Sequence, residues 1–274
     1  MSGDSKLAIA AKLALRKRLG EAVSLDSKGY VSRPEQNLLP DVAMDHFESD
    51  LRAGDGNELK MKFCASHSST ALAVNSFAWF RPAEKLQHLT VLEHANAKTL
   101  QFERKCQIFR GGRAPNLDVW VEYSENTVAI ESKFTEYFKQ KKPAFTPAYE
   151  RLETLSDSCW WKVYQAAKEG ERSYLDCAQL VKHYFGLRRL QAAKDPPGNI
   201  RFLYLYWEPV NADELAVCQA HRREIAMLTE ATAESEIRFH AMSYSTLWRQ
   251  WEQIPELGVH VRNLQSRYEV EVSV

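Results

Sequence analysis

The sequence predicts an α/β protein built on a mixed central sheet flanked by helices. Three observations carry that reading. Between residues 99 and 134 apolar residues recur at every second position in three consecutive runs. Residues 200–207 (IRFLYLYW) form one unbroken apolar and aromatic run. The stretches 159–168 and 173–193 between them look helical. A period of two marks strands with one covered face, and an unbroken run of this length marks a strand buried on both. Helices on the two sides supply that cover.

Residues 5–20 (SKLAIAAKLALRKRLG) set Leu7, Ile9, Ala10, Leu13 and Leu15 as an apolar face among Lys6, Lys12, Arg16, Lys17 and Arg18, with Gly20 as C-cap. A basic amphipathic helix can bind membranes or nucleic acid. The expectation here is a helix docked on the domain, its basic side in water. Residues 24–40, with Gly29, Pro34 and Pro40, read as a loop. The first 40 residues are therefore expected to pack as helix and linker on a domain spanning 41–274.

Asp41 to Leu51 reads as an acidic helix broken after it by Gly54 and Gly56. Residues 68–80 (SSTALAVNSFAWF) are apolar over a length that favours a helix, and Pro82 starts a short segment ending near His88. Strands follow at 99–109, 117–123 and 127–134, mostly antiparallel, with Ser124-Glu125-Asn126 as a polar hairpin loop between the last two. Residues 135–158 read as irregular. Asp195-Pro196-Pro197-Gly198 stops the helix of 173–193. After the strand at 200–207 come a helix over 212–231, a strand from Glu236 to Met242 and a short helix around Leu247–Trp251. The alternating YEVEVSV of 268–274 is expected as an edge strand.

Lys+Arg and Asp+Glu number 36 each, so the net charge is zero and nucleic-acid binding has to come from local patches. A hydrophobic content of 45% excludes a disordered chain. No apolar run approaches the roughly 20 residues of a membrane span, and no signal-peptide pattern opens the chain. Cys64, Cys106, Cys159, Cys177 and Cys218 are scattered and never form Cys-x-x-Cys, which argues against a disulfide framework and a thiolate zinc site. A reducing, cytoplasmic compartment is the expectation.

The chemistry concentrates on two strands. Glu131 and Lys133, two residues apart, share one face opposite Ile130, and a hairpin brings Asp118 near Glu131. Two carboxylates suit a hard divalent cation such as Mg²⁺, and a neighbouring lysine can orient water, accept its proton or stabilise charge on phosphate. The bare Asp/Glu-x-Lys pattern occurs five times, but only Glu131-Ser132-Lys133 has a strand-embedded Asp at hairpin distance upstream and an apolar lead-in. An ordinary exposed cross-strand pair is the bland alternative.

Residues 115–133 (PNLDVWVEYSENTVAIESK) resemble the PD-(D/E)XK nuclease superfamily, the restriction-endonuclease-like fold. The resemblance is sharp over about 20 residues and extends in layout over 45–207. It implies an αβββαβ core with N- and C-terminal additions, and a phosphodiesterase site using Mg²⁺ or Mn²⁺. Asp118, Glu131 and Lys133 match the motif. Pro115 departs from it, preceding Asp118 by three residues instead of one. The resemblance also implies a further acid from the first helix or first strand, for which Glu58 and Glu103 are the candidates, and a glutamine on the helix after the lysine strand. Gln179 suits that role, with His183 one turn later and Gln165 as runner-up.

Local charge fits a polyanion. Arg104, Lys105, Arg110 and Arg113 lie in a stretch without acids, as do Lys182, Arg188, Arg189 and Lys194, and Lys139 follows the lysine strand closely. Of these, Arg104, Arg110, Arg113, Lys139, Lys182, Arg188 and Arg189 are the expected nucleic-acid contacts. Cys64-Ala65-Ser66-His67-Ser68-Ser69 lacks Gly-x-Ser-x-Gly and a third triad member and reads as packing or capping. The expected function is metal-dependent cleavage of DNA, endonucleolytic in mode, with no membrane partner and a homodimer left open. An RNA or single-strand nuclease, or a non-catalytic nucleic-acid-binding module on the same fold, are the alternatives.

Overall fold

The protein is described by a computed structural model that covers residues 3–54, 59, 62–112, 114–194 and 198–273. Five strands form one sheet in sequence order: β1 (Thr99–Lys105), β2 (Asn116–Glu122), β3 (Asn126–Lys133), β4 (Asn199–Tyr206) and β5 (Phe239–Ser243). The pairs β1–β2 and β2–β3 are antiparallel, whereas β3–β4 and β4–β5 are parallel. Short links suffice for the antiparallel pairs, and parallel pairs need helical crossovers. The main helices are α1 (Gly3–Gly20), α2 (Glu48–Ala53), α3 (Ser69–Phe77), α4 (Ala83–Leu86), α5 (Ser158–Glu169), α6 (Cys177–Ala192), α7 (Ala216–Ala231), α8 (Tyr244–Trp251) and α9 (Gly258–Tyr268). Helices α5 and α6 lead from β3 to β4, and α7 leads from β4 to β5.

The sheet separates two apolar cores. Val119, Val121, Val128, Ile130, Leu203 and Leu205 face a core built with α1, α3, α8 and α9. Trp120, Ala129, Ile200, Phe202 and Tyr204 face a second core with α5, α6 and α7. Strand β4 thus meets helices on both faces, as its unbroken apolar run requires. A mixed five-stranded sheet with flanking helices is the α/β architecture expected from the sequence.

Several elements differ from the sequence expectation. Residues 269–273 form no strand; α9, which the polar sequence of 258–268 concealed, runs to Tyr268. The alternation is real, since Val270 and Val272 are buried and Glu271 is exposed. It is satisfied by a loop: Val210 N donates to Val270 O, and the Asn211 amide exchanges two hydrogen bonds with the Val272 backbone. The acidic segment from Asp41 is a 3₁₀ turn at Met44–His46 followed by the single-turn-plus α2, because Phe47 breaks helical geometry between them. In α1 the buried stripe is Leu7, Ala11, Leu15 and Leu19, at a spacing of four, while Ile9 and Leu13 are 46% and 56% exposed. The first strand stops at Lys105, before the turn that contains Arg110. Helix α6 starts at Cys177 because Asp176 caps it, its side chain accepting from Gln179 N. Among the described residues no helix is long and apolar enough to cross a membrane.

Candidate active site

The site is set by the β2–β3 hairpin and completed by α6. Pairing of Val119 with Ile130 places Asp118 beside Glu131 on the face covered by α6. The Ser132 N–H donates to Asp118 Oδ2 at 2.6 Å, which fixes that carboxylate across the ladder. Glu131 is 1% exposed. Its Oε1 accepts from Lys133 Nζ at 2.5 Å and from Gln179 Nε2 at 2.7 Å. One turn further along α6, the buried His183 brings Nε2 to 2.9 Å from Glu131 Oε2. At that distance His183 is the second partner of the carboxylate and draws the Glu131 pKa down. An exposed cross-strand pair does not look like this: here a lysine and a helix converge on a buried carboxylate.

The electrostatics divide the two acids. Burial pushes the Asp118 carboxyl well above the usual range, and repulsion from Glu131 adds to it; Lys133 and the Ser132 N–H oppose it. Burial also works against ionised Glu131, but Lys133 and His183 outweigh it and hold its pKa at about 2. Burial works against the Lys133 ammonium, yet Glu131, Asp118 and Glu136 more than offset it and move its pKa up. Lys133 is therefore a cation in this state. As a cation it can orient water and stabilise charge.

Glu103 lies in β1 at the position opposite Asp118, between the paired residues Phe102 and Arg104. Its φ of 53° is left-handed, a costly conformation for a residue with a side chain. Such strain persists only where surrounding structure imposes it, and it concentrates at functional sites. Glu103 Oε2 accepts from Asn116 Nδ2 at 3.2 Å, and its charge raises the pKa of Asp118.

A cleft of about 810 Å³ opens onto this group. Glu103, Asn116 and Asp118 line one side, Gln179, Lys182 and Tyr149 another, and Lys62, His67, Ser69 and Thr70 a third. The third wall is held from behind through its main chain. Asn37 Nδ2 donates to the carbonyls of Phe63 and Ala65 at 2.6 and 3.0 Å, and the buried Arg267 donates to that of Ser66 at 3.0 Å. Asn75 Nδ2 ties Asn37 O to the Tyr268 hydroxyl. Ser68 caps α3 by accepting from Ala71 N, the capping role expected of this segment. Burial first, and then Lys12 of α1, lower the His67 pKa to about 4 against the pull of Glu136.

Of the residues expected from the sequence, the structure gathers Asp118, Glu131, Lys133, Gln179, Glu103 and Lys182 at the cleft or directly behind it. Glu58 and Arg113 lie outside the described residues. Arg110, Lys139 and Arg189 are exposed. Arg104 sits over the Trp120 ring and bonds Gln101. Arg188 is committed within the fold, to Leu155 O, Gln191 and Glu236. Lys62, His67 and Glu136 were not anticipated, since they come from irregular segments with no period to place them.

Among the described residues no three His, Cys, Asp or Glu side chains gather into a ready metal cage. A hard divalent ion that keeps several waters needs only one or two carboxylates. The donor set is of that kind: Asp118, which lines the cleft beside Glu131, is destabilised by burial and by repulsion from Glu131 and Glu103. A cation at this place relieves that repulsion, so the residues present fit one.

The fold and this constellation define a restriction-endonuclease-like protein. A family model described as Restriction Endonuclease associating with ARP matches residues 5–269, and the chain belongs to that family. Membership points to a nuclease as its class of activity. No curated protein and no solved structure matches the chain.

Proposed function

We propose that the protein is a divalent-metal-dependent nuclease that hydrolyses phosphodiester bonds in DNA, endonucleolytically. The observation that carries this reading is Glu131: a carboxylate 1% exposed, kept ionised by Lys133 and positioned by Gln179, next to Asp118 at the end of a cleft. Burying charge in this way is costly and a pair of apolar residues would stabilise the sheet as well or better, so the arrangement has its rationale in chemistry. Asp118 and Glu131 would hold Mg²⁺ or Mn²⁺, with Glu103 in reach as a further acid. Such an ion supplies positive charge to a phosphodiester and acidifies water. Lys133 holds its ammonium where charge builds on phosphate. Gln179 fixes the carboxylate that orders Lys133. Lys182 and Lys62 on the cleft walls would meet flanking phosphates, and the family description adds association with a partner it calls ARP.

The test is incubation with plasmid and linear DNA in Mg²⁺, Mn²⁺ or EDTA. Cleavage should need the divalent ion and should fall by at least about a hundredfold in Glu131→Ala and in Lys133→Ala with the fold intact by circular dichroism. Cleavage that survives both substitutions, or persists in EDTA, overturns the proposal. A parallel RNA substrate separates DNA from RNA cleavage.

A further inference from the structure

We infer that α1 carries a second nucleic-acid contact: its exposed lysines Lys6, Lys12 and Lys17 hold the phosphate backbone of the substrate where it leaves the cleft. The inference rests on the nuclease reading above and extends it to a surface outside the site. The helix is docked by one stripe, the buried Leu7, Ala11, Leu15 and Leu19, and packs against α9 and against the turn Glu136–Phe138. That turn brings Glu136 into the cleft lining, so the docked helix lies along the cleft rim. Two further ties fix this placement. Lys12 is close enough to His67, in the cleft wall, for its charge to act there. Arg16 Nη1 donates to Ser27 O at 3.0 Å and Nη2 to Asp26 O at 3.3 Å, which anchors the turn leading to Tyr30, another lining residue.

The side of α1 turned away from the core has the chemistry of a phosphate track. Residues 6–20 contain no acid, and Glu21, which follows them, lies 3.6 Å from Arg18. Lys6, Lys12 and Lys17 are exposed and form no ion pair among the described residues. With 3.6 residues to a turn, Lys12 lies on a flank of the buried stripe, and Lys6 and Lys17 lie on the outer face beside Leu13. The cations therefore run from the cleft rim over the helix. Lys6 and Lys17 are about three turns apart, about 16 Å of rise, which spans roughly five phosphates of one DNA strand. In a chain of zero net charge, such a surface is a local positive field suited to a polyanion. A lipid surface fits it less well. An interfacial helix buries a broad apolar face, whereas Leu7, Leu15 and Leu19 are turned into the core and the outer face offers Ile9 and Leu13.

The experiment is binding of DNA duplexes of about 6 to about 30 base pairs to the full chain in Ca²⁺, each across a salt series. Lys6→Ala/Lys17→Ala should match the wild type in salt slope on the shortest duplex. On the longest its slope should be lower by about two units, near 0.9 for each lost phosphate contact. Both side chains are exposed, so the fold should not change, and Lys6→Arg/Lys17→Arg should keep the wild-type slope because charge is what the contact needs. Lys62→Ala/Lys182→Ala, on the cleft walls, should lower the slope at every length. Equal slopes for wild type and Lys6→Ala/Lys17→Ala at every length, with DNA bound by both, overturn the role of α1 and leave the nuclease reading standing. A wild type that binds no duplex overturns both. Vesicles of phosphatidylcholine and phosphatidylserine form a second arm. Wild-type binding to them that is lost in Lys6→Ala/Lys17→Ala, with the DNA slope unchanged, overturns the inference in favour of a membrane-contact helix.

Discussion

Asp118 and Glu131 sit side by side and carry opposite linkage to stability. The folded state raises the pKa of Asp118, so the protein binds that proton more tightly folded than unfolded, and its ionised form is destabilising at neutral pH. Asp118→Asn keeps an oxygen for the Ser132 N–H and removes the charge. In metal-free buffer at pH 7 it should melt higher than the wild type by at least about 2 °C, and divalent ions should narrow the gap. A lower melting temperature in metal-free buffer would contradict the strain assigned to this carboxylate. Glu131 has the reverse sign. Its folded-state pKa of about 2 lies below the ordinary 4.5, so its contribution is full above pH 4.5 and is lost as pH falls toward 2. Urea unfolding of wild type and Glu131→Gln should show a stability gap at pH 7 that shrinks across that window; a gap independent of pH would refute the charge pairing.

Strand β1 bends its backbone at one residue to aim one side chain. Only glycine adopts the left-handed conformation of Glu103 without cost. Glu103→Gly should therefore be more stable than Glu103→Ala by about 1 kcal/mol, the reverse of the usual preference inside a strand. Equal or inverted stabilities in urea would mean the kink is not locally strained. Such a kink has no signature in the sequence, where Glu103 reads as an ordinary member of an alternating run. What the sequence does carry at this scale is periodicity. Period two on 117–123 and 127–134 puts Asp118 against Glu131 and Lys133, whereas Gln179 on the helix after them is nominated by the resemblance to the nuclease superfamily. Periodicity failed where polar residues are buried by specific partners: α9 hides His260 and Arg267 inside the protein. It also overreached at Val270 and Val272, whose alternation is real but whose backbone is met by Val210 and Asn211 instead of a neighbouring strand. The cleft residues Lys62, His67 and Glu136 belong to segments whose shape follows from tertiary hydrogen bonds, so no local pattern could assign them.

Across the whole molecule the charges cancel, with 36 of each sign, so attraction to a polyanion depends on where the cations are placed. Lys62 and Lys182 face the cleft, whereas Arg188 is turned to Glu236 and Leu155 O. Binding of a short duplex in Ca²⁺ should weaken linearly in log salt. The Lys62→Ala/Lys182→Ala variant should lower the slope by about two units, near 0.9 for each phosphate left without its lysine. Arg188→Ala should leave the slope unchanged and lower the melting temperature instead. A slope that follows Arg188 and ignores the two lysines would move the nucleic-acid path away from the cleft.

The wall made by residues 62–70 is gripped by its carbonyl oxygens, through Asn37 and Arg267, and those grips do not depend on which side chains the wall presents. The identities of Lys62, His67, Ser69 and Thr70 are thereby uncoupled from the position of the backbone that bears them. A substitution on the open side changes what the cleft recognises without shifting the frame that holds Asp118 and Glu131. The fold thus keeps a surface on which selection can retune the proposed substrate preference one side chain at a time, while the hairpin proposed to carry the chemistry stays in place.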